Sequence, residues 1–171
     1  MTIHSTDPFA TPEEHRSPVR RLRGRLPAAV TLWTAATPDG RRAGLTVSST
    51  LVVDGAPGRL LGLIDDESDL WSAVRVSGRF VVTPLQPRHR QLADRFAGLM
   101  PAPGGLFALE EWTATEWGPR LSDLDTWAGC RLDDARPLGW SLLVEATIEH
   151  VEVGESAEPL VHARGRYREL R

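Results

Sequence analysis

Between Ala43 and Leu51, apolar Leu45, Val47 and Leu51 alternate with hydroxyls at Thr46, Ser48 and Thr50. A period of two belongs to a strand with two unlike faces. The hydroxyl face suits water or, equally, the oxygens and nitrogens of a ligand. Upstream, Ala28 to Ala36 is a β-prone apolar run, and Pro38-Asp39-Gly40 then supplies a turn. Pro fixes φ there and Gly takes positive φ, so the run and a second strand, Gly44 to Val53, predict a hairpin. Asp54-Gly55-Ala56-Pro57-Gly58 is another turn cluster. Arg59 to Ile64 is so apolar that it predicts a strand buried on both sides.

The period then changes. Ser68 is a good N-cap for a helix whose stripe is Leu70, Trp71, Val74 and Val76, and Ser77-Gly78 stops it. Arg79 to Leu85 predicts a fourth strand. Arg88 to Ala97 predicts a second helix with Leu92, Ala93 and Phe96 on one face. A flexible Gly/Pro loop follows through Gly105, then a short aromatic strand from Phe107 to Trp117. Leu121 to Leu132 supports no single assignment. Trp140 to Val153 is a long strand, and Pro159 to Arg164 is a last short one before the tail. At the other end, residues 1–17 lack periodicity and predict a flexible arm, and the arginine-rich Pro18 to Arg25 predicts a helix or arm. Its arginines are solvated, or they meet a phosphate or a partner subunit. Many strands with helices inserted between them argue against a doubly wound sheet. The expected class is mainly β: one domain, residues 18–171, built as a small antiparallel barrel with flanking helices.

Composition narrows the functions. All 20 basic residues among the 171 are Arg, but they are scattered among 23 acids for a net charge of −3. That balance points to no nucleic-acid surface. The single cysteine, Cys130, excludes a disulfide within the chain and any multi-thiolate metal site. His4, His15, His89, His150 and His162 are isolated from one another, so no metal-ligand spacing is present. There is neither an apolar run long enough for a bilayer nor an apolar leader, and the expectation is a cytoplasmic protein without membrane contact. No GxGxxG follows a strand, and no P-loop occurs.

The order of the pieces carries more than any one of them. Thr34 ends a strand, Asp39-Gly40 turns, and Gly44-Leu45-Thr46-Val47-Ser48-Ser49 follows. Ser77-Gly78-Arg79-Phe80-Val81-Val82 and Arg90-Gln91-Leu92-Ala93-Asp94-Arg95-Phe96-Ala97 come next. Pro159-Leu160-Val161-His162-Ala163-Arg164-Gly165-Arg166-Tyr167 closes the chain. Over residues 19–170 this run resembles the flavin reductase-like, FMN-binding split-barrel family. The resemblance implies a homodimeric antiparallel split β-barrel that binds FMN or FAD without a covalent link. It implies NAD(P)H as hydride donor and reduced flavin that often passes to a separate monooxygenase. The cofactor performs the redox chemistry in such proteins, and the protein supplies position and electrostatics.

Carried over residue by residue, the resemblance places Thr34 and Ala35 at the flavin edge. It places Thr46, Val47, Ser48 and Ser49 against the isoalloxazine and phosphoribityl chain, and the loop from Asp65 to Ser68 beside the ribityl and phosphate groups. Ser68 at a helix N-terminus suits a phosphate, and Arg88 or Arg90 could neutralise one. Tyr167 joins the cofactor set, and His162, with an ordinary pKa near neutrality, is either the catalytic histidine or a strand-surface one. Phe96 and Trp71 are core residues or ring-stacking ones. Many family members carry Gly-Asp-His before the long late strand, where this chain reads Gly139-Trp140-Ser141. Trp140 there either stacks on a nicotinamide or fills the barrel mouth. Three functions remain open: a reductase of free flavin, a barrel that holds FMN and reduces nothing by itself, and a dimeric interaction domain that has lost flavin.

Overall fold

A computed structural model describes residues 17–170. Helix α1 (Pro18–Arg25) precedes strands β1 (Ala28–Ala29), β2 (Thr31–Ala36), β3 (Arg42–Val47), β4 (Thr50–Val53) and β5 (Arg59–Ile64). Then come α2 (Asp69–Ser77), β6 (Arg79–Pro84), a 3-10 turn Pro87–His89 and α3 (Arg90–Phe96). The remaining six elements are all strands: β7 (Trp112–Thr115), β8 (Gly118–Leu121), β9 (Trp127–Leu138), β10 (Ser141–Glu152), β11 (Val161–Ala163) and β12 (Arg166–Arg168). The flexible arm expected over residues 1–17 lies outside the described residues except for Ser17. Ser17 caps α1, its hydroxyl accepting from Arg20 N at 3.2 Å.

Seven strands form one antiparallel sheet in the order β3-β2-β6-β9-β10-β5-β4. Its two edge strands are consecutive in the chain and separated only by Ser48 and Ser49. Val47 and Thr50 are three Cα–Cα steps apart, a span of at most about 11 Å, so the sheet curls until its edges come together. The edges share no ladder with each other, although Leu63 N donates to Ser49 O at 3.0 Å. This is a split barrel, mainly β, with helices on its flanks.

The barrel closes on Trp33, which stacks on Phe80 at 4.8 Å and donates from its indole N–H to Thr31 Oγ1 at 3.1 Å. Leu60, Ile64 and Val144 surround the pair, and α2 adds Leu70, Ala73 and Val74. The helix starts where Ser68 Oγ accepts from Trp71 N at 3.1 Å, and it ends at Gly78, whose φ of 70° favours glycine. A second cluster gathers Leu32, Leu85, Leu92, Phe96 and Leu160 under α3. Phe96 is core and meets Phe107 edge-on at 5.2 Å; Trp71 packs half-buried against the first cluster.

Three expectations change, and one open stretch gains an assignment. The strand expected over Gly44–Val53 is two strands, because the chain must leave one sheet edge and join the other at Ser48-Ser49. Arg59–Ile64 is buried on one face only: Leu60 and Ile64 point inward, whereas Leu61 and Leu63 are half-buried on the outer face. The aromatic strand is shorter, β7 pairing with β8 in a hairpin of its own. The unassigned stretch after Leu121 leads into β9, which pairs with β6 and β10. Among the described residues no helix is long and apolar enough to cross a membrane.

Candidate functional site

The junction between the two sheet edges opens into a cavity of about 310 Å³. This is at the lower end of the range for small-molecule sites. Thr46, Val47, Ser48 and Ser49 line one side, and Ile64 and Asp65, at the end of β5, line another. The β11–β12 hairpin contributes His162 and Tyr167, which face each other across the ladder with ring centroids 5.8 Å apart. Arg23 from α1 and Trp140 from the β9–β10 turn complete the rim.

Each group arrives with a different freedom. Thr46 Oγ1 donates to Ala93 O at 2.7 Å, so its proton is committed to α3 and only its lone pairs remain. The hydroxyls of Ser48 and Ser49 take no partner among the described residues. They are the hydroxyl donors the cavity offers to a ligand. Asp65 Oδ1 accepts from Glu67 N at 2.9 Å, and its carbonyl accepts from Ser68 Oγ at 2.7 Å, which fixes the turn into α2. Tyr167 donates its phenol proton to Asp94 Oδ1 at 2.8 Å. Burial, then that carboxylate, hold the phenol well above its ordinary pKa, and it stays protonated. Burial, and after it the nearby Arg23 guanidinium, push His162 below its ordinary value, with Asp94 opposing. The imidazole is therefore neutral at neutral pH.

Not every predicted residue reaches this cavity. Thr34 is buried and its hydroxyl donates to Pro119 O at 2.5 Å; Ala35 beside it is wholly buried in the first core cluster. Ser68 is spent on capping α2. Arg88 reaches Asp123, at 3.3 Å to the carboxylate, and Arg90 pairs with Glu169 at 3.0 Å. His89 also binds Asp123, and His150 packs between Trp117 and Trp127, leaving His162 as the histidine of the cavity among the described residues. The structure thus brings together Thr46, Val47, Ser48, Ser49, Asp65, His162 and Tyr167, and leaves Thr34, Ala35, Ser68 and Arg88 outside.

Of the two rim groups, sequence alone singles out Trp140 but not Arg23. Arg23 was one arginine among several until Arg164 N, donating to Gly24 O at 2.7 Å, docked α1 on the terminal hairpin. Gly139 and Trp140 form a two-residue hairpin loop between paired Leu138 and Ser141, with Gly139 at φ 59°. The turn leaves Trp140 88% exposed over the opening. That is unusual for a tryptophan, a residue highly buried on average.

The sequence profile of the flavin reductase like domain matches residues 23–171. The chain belongs to this family. It is 32% identical over 152 residues to an FMN reductase (NADH), RutF 1, of Methylorubrum extorquens; the match covers 88% of this chain and 75% of that protein. It is 27% identical to the 4-hydroxyphenylacetate 3-monooxygenase reductase component of Pseudomonas aeruginosa, covering 88% and 89%. Its fold superposes with a TM-score of 0.80 on a nitrilotriacetate monooxygenase component B homologue from Mycobacterium thermoresistibile, at 26% identity and with 90% and 85% coverage. In this flavin reductase-like chain the family match runs from the rim arginine to the end of the terminal hairpin, so every cavity element described above lies within it.

Proposed function

We propose that this protein is an NAD(P)H-dependent flavin reductase that binds FMN, with FAD and riboflavin as alternatives, and supplies reduced flavin to a partner monooxygenase. The observation that carries this reading is the pair of unengaged hydroxyls, Ser48 and Ser49, in a cavity of ligand size inside a flavin reductase-like barrel. A flavin fits the donor set. Its ring carries carbonyl and nitrogen acceptors along one edge and an apolar body, and the cavity sets Ser48 and Ser49 beside apolar Leu45, Val47, Leu63 and Ile64. Thr46 to Ser49, Asp65 and Tyr167 hold the cofactor. His162, neutral and half-buried, is the group that can exchange a proton at the reacting ring. Held by these residues, a flavin would supply the redox chemistry, as an acceptor for hydride from a nicotinamide. The chain's contribution is to hold the two rings together and keep water from the contact.

The reading includes a homodimer in the cytoplasm. Edge strand β4 leaves Leu51, Val52 and Val53 47–69% exposed, and a second copy is the surface that would cover them. A second reading, a barrel that holds FMN without reducing it, draws on Trp140 at the mouth, where a bulky exposed indole stands over the route to the cavity.

The deciding experiment is titration of FMN into the purified apoprotein followed by flavin fluorescence, then NADH and NADPH consumption with FMN in excess. Saturable quenching with turnover proportional to protein is the expected result. Quenching without turnover supports the second reading, and no quenching by folded protein removes both. A Thr46→Val, Ser48→Ala double variant that kept full FMN affinity would count against the assigned strand.

A further inference from the structure

Arg23 is the cavity's full positive charge, and among the described residues no carboxylate neutralises it. Other arginines of the chain are matched: Arg59 meets Glu145 at 2.6 Å, Arg95 meets Glu110 at 2.6 Å, Arg90 meets Glu169 at 3.0 Å and Arg88 meets Asp123 at 3.3 Å. A guanidinium has five donors in a planar fork that fits phosphate and carboxylate oxygens. One left without an anion at the lip of a ligand cavity is placed to receive one from the ligand.

Its position is fixed by the backbone. Ser17 caps the start of α1, Leu26 N donates to Arg23 O at 3.2 Å, and Arg164 N holds Gly24 against the terminal hairpin. Two carboxylates stand near this cavity, and each already accepts a hydrogen bond: Asp65 Oδ1, on the cavity wall, from Glu67 N at 2.9 Å, and Asp94 Oδ1 from the Tyr167 phenol at 2.8 Å, while His162 is held neutral. Ser48 and Ser49 add unengaged hydroxyl donors in the same cavity. The arginines at 88 and 90, which resemblance nominated for a phosphate, are already committed elsewhere.

We propose that Arg23 is the phosphate-binding side chain of this cavity, closing on a phosphate ester carried by the flavin or by the nicotinamide dinucleotide. This rests on the flavin-site reading above and adds a specificity to it: the site selects a phosphorylated ligand over its unphosphorylated counterpart. Arg23 is exposed, so solvent screens the contact and its effect is a preference rather than an absolute requirement.

The test compares FMN with riboflavin, which differ by that phosphate, on the intact protein and on Arg23→Gln and Arg23→Lys. The side chain is exposed and makes no bond to another described residue, so both variants are expected to fold, and a thermal melt checks this. The intact protein is expected to bind FMN more tightly than riboflavin. Arg23→Gln is expected to lose about tenfold in FMN affinity with riboflavin unchanged, and Arg23→Lys to recover part of the loss. If the FMN-to-riboflavin ratio holds in Arg23→Gln but KM for NADH rises about tenfold at constant kcat, the phosphate is the dinucleotide's and the assignment of Arg23 stands. Equal weakening of FMN and riboflavin, or no change in either flavin or in KM, overturns it while leaving the flavin site in place. Failure of the intact protein to bind either flavin overturns the flavin reading and this inference with it.

Discussion

Gly62 sits where strand β5 passes the buried indole of Trp33, and adding one methyl group there tests how the barrel is held closed. A Cβ at this position would lie within 2.5 Å of Trp33 Cζ2 and nearer still to Cη2, with Ser49 O at 3.3 Å on its other side. Carbon atoms prefer about 3.5–4.0 Å, so the overlap is roughly 1 Å or more. Trp33 cannot swing aside: it is 1% exposed, stacked on Phe80 and bonded to Thr31. The strand must move instead. Overpacking of this kind costs about 1–3 kcal/mol, and the reduced freedom of the unfolded chain returns about 0.4–1 kcal/mol. Gly62→Ala should therefore destabilise by roughly 1–2 kcal/mol, and its Tm should fall by about 2–8 °C for a chain of this size. The decisive assay is a double-mutant cycle followed by thermal and urea unfolding, with Trp33→Leu as the second change. Without the indole the new methyl group has room, and Gly62→Ala should be neutral or slightly stabilising in that background. If it costs the same in both backgrounds, the indole is not what forbids a side chain at position 62, and the reasoning fails.

Three further outcomes follow from the same contacts. His162 has a folded-state pKa below its unfolded value, so the unfolded chain takes up the proton first as pH falls; the intact protein should lose stability relative to His162→Gln as pH drops below about 6.5, and parallel urea curves between pH 7 and pH 5 would contradict this. Glu110→Gln strands the largely buried Arg95 guanidinium and should cost about 2 kcal/mol, discounted because Glu110 is itself partly exposed; adding Arg95→Met should recover most of the loss in urea unfolding, and a doubled loss would refute the pairing. Ser68→Ala removes the α2 cap and should cost about 1 kcal/mol while Ser68→Asp retains most of it; since Ser68 lies outside the cavity, FMN affinity should be unchanged, and a large loss of affinity in a folded Ser68→Ala protein would return that residue to the site.

Local pattern was enough for β2, for the helix opened by Ser68 and closed by Gly78, and for the long strand after Trp140. Each carries its period and its stop signals within a dozen residues. The order of the pieces along the chain, rather than any one of them, carried the flavin reductase-like resemblance, and Thr46 to Ser49 line one side of the cavity together because they are contiguous. What stayed hidden depends on tertiary position. The alternation from Leu45 to Val53 reads as one strand, since nothing local says that β2 and β5 stand on opposite sides of a seam. Arg59–Ile64 reads as doubly buried because its outer Leu61 and Leu63 are as apolar as its inner Leu60 and Ile64. β9 carries charges from Arg131 to Asp134 that mask its period, and only its pairing with β6 and β10 makes it a strand. Arg23 and Arg88 are the same residue type in similar polar surroundings, and only the docking of α1 and the position of Asp123 decide which one faces the cavity.

The seam explains why fold and site coincide. A sheet whose first and last strands are consecutive in sequence must spend at least a residue or two outside any ladder as the chain crosses from one edge to the other. Those residues give up the regular neighbours that occupy polar groups elsewhere in the sheet. In this chain they are Ser48 and Ser49, and the crossing places their unengaged hydroxyls on the wall of the cavity rather than among the core residues. Trp33 and the missing side chain at Gly62 keep β5 close enough for Leu63 N to reach Ser49 O, which fixes how wide the seam stands. The packing that closes the barrel thus also sets the spacing of the donors offered to a ligand. A substitution that moves β5 outward should disturb ligand affinity even though it touches no ligand.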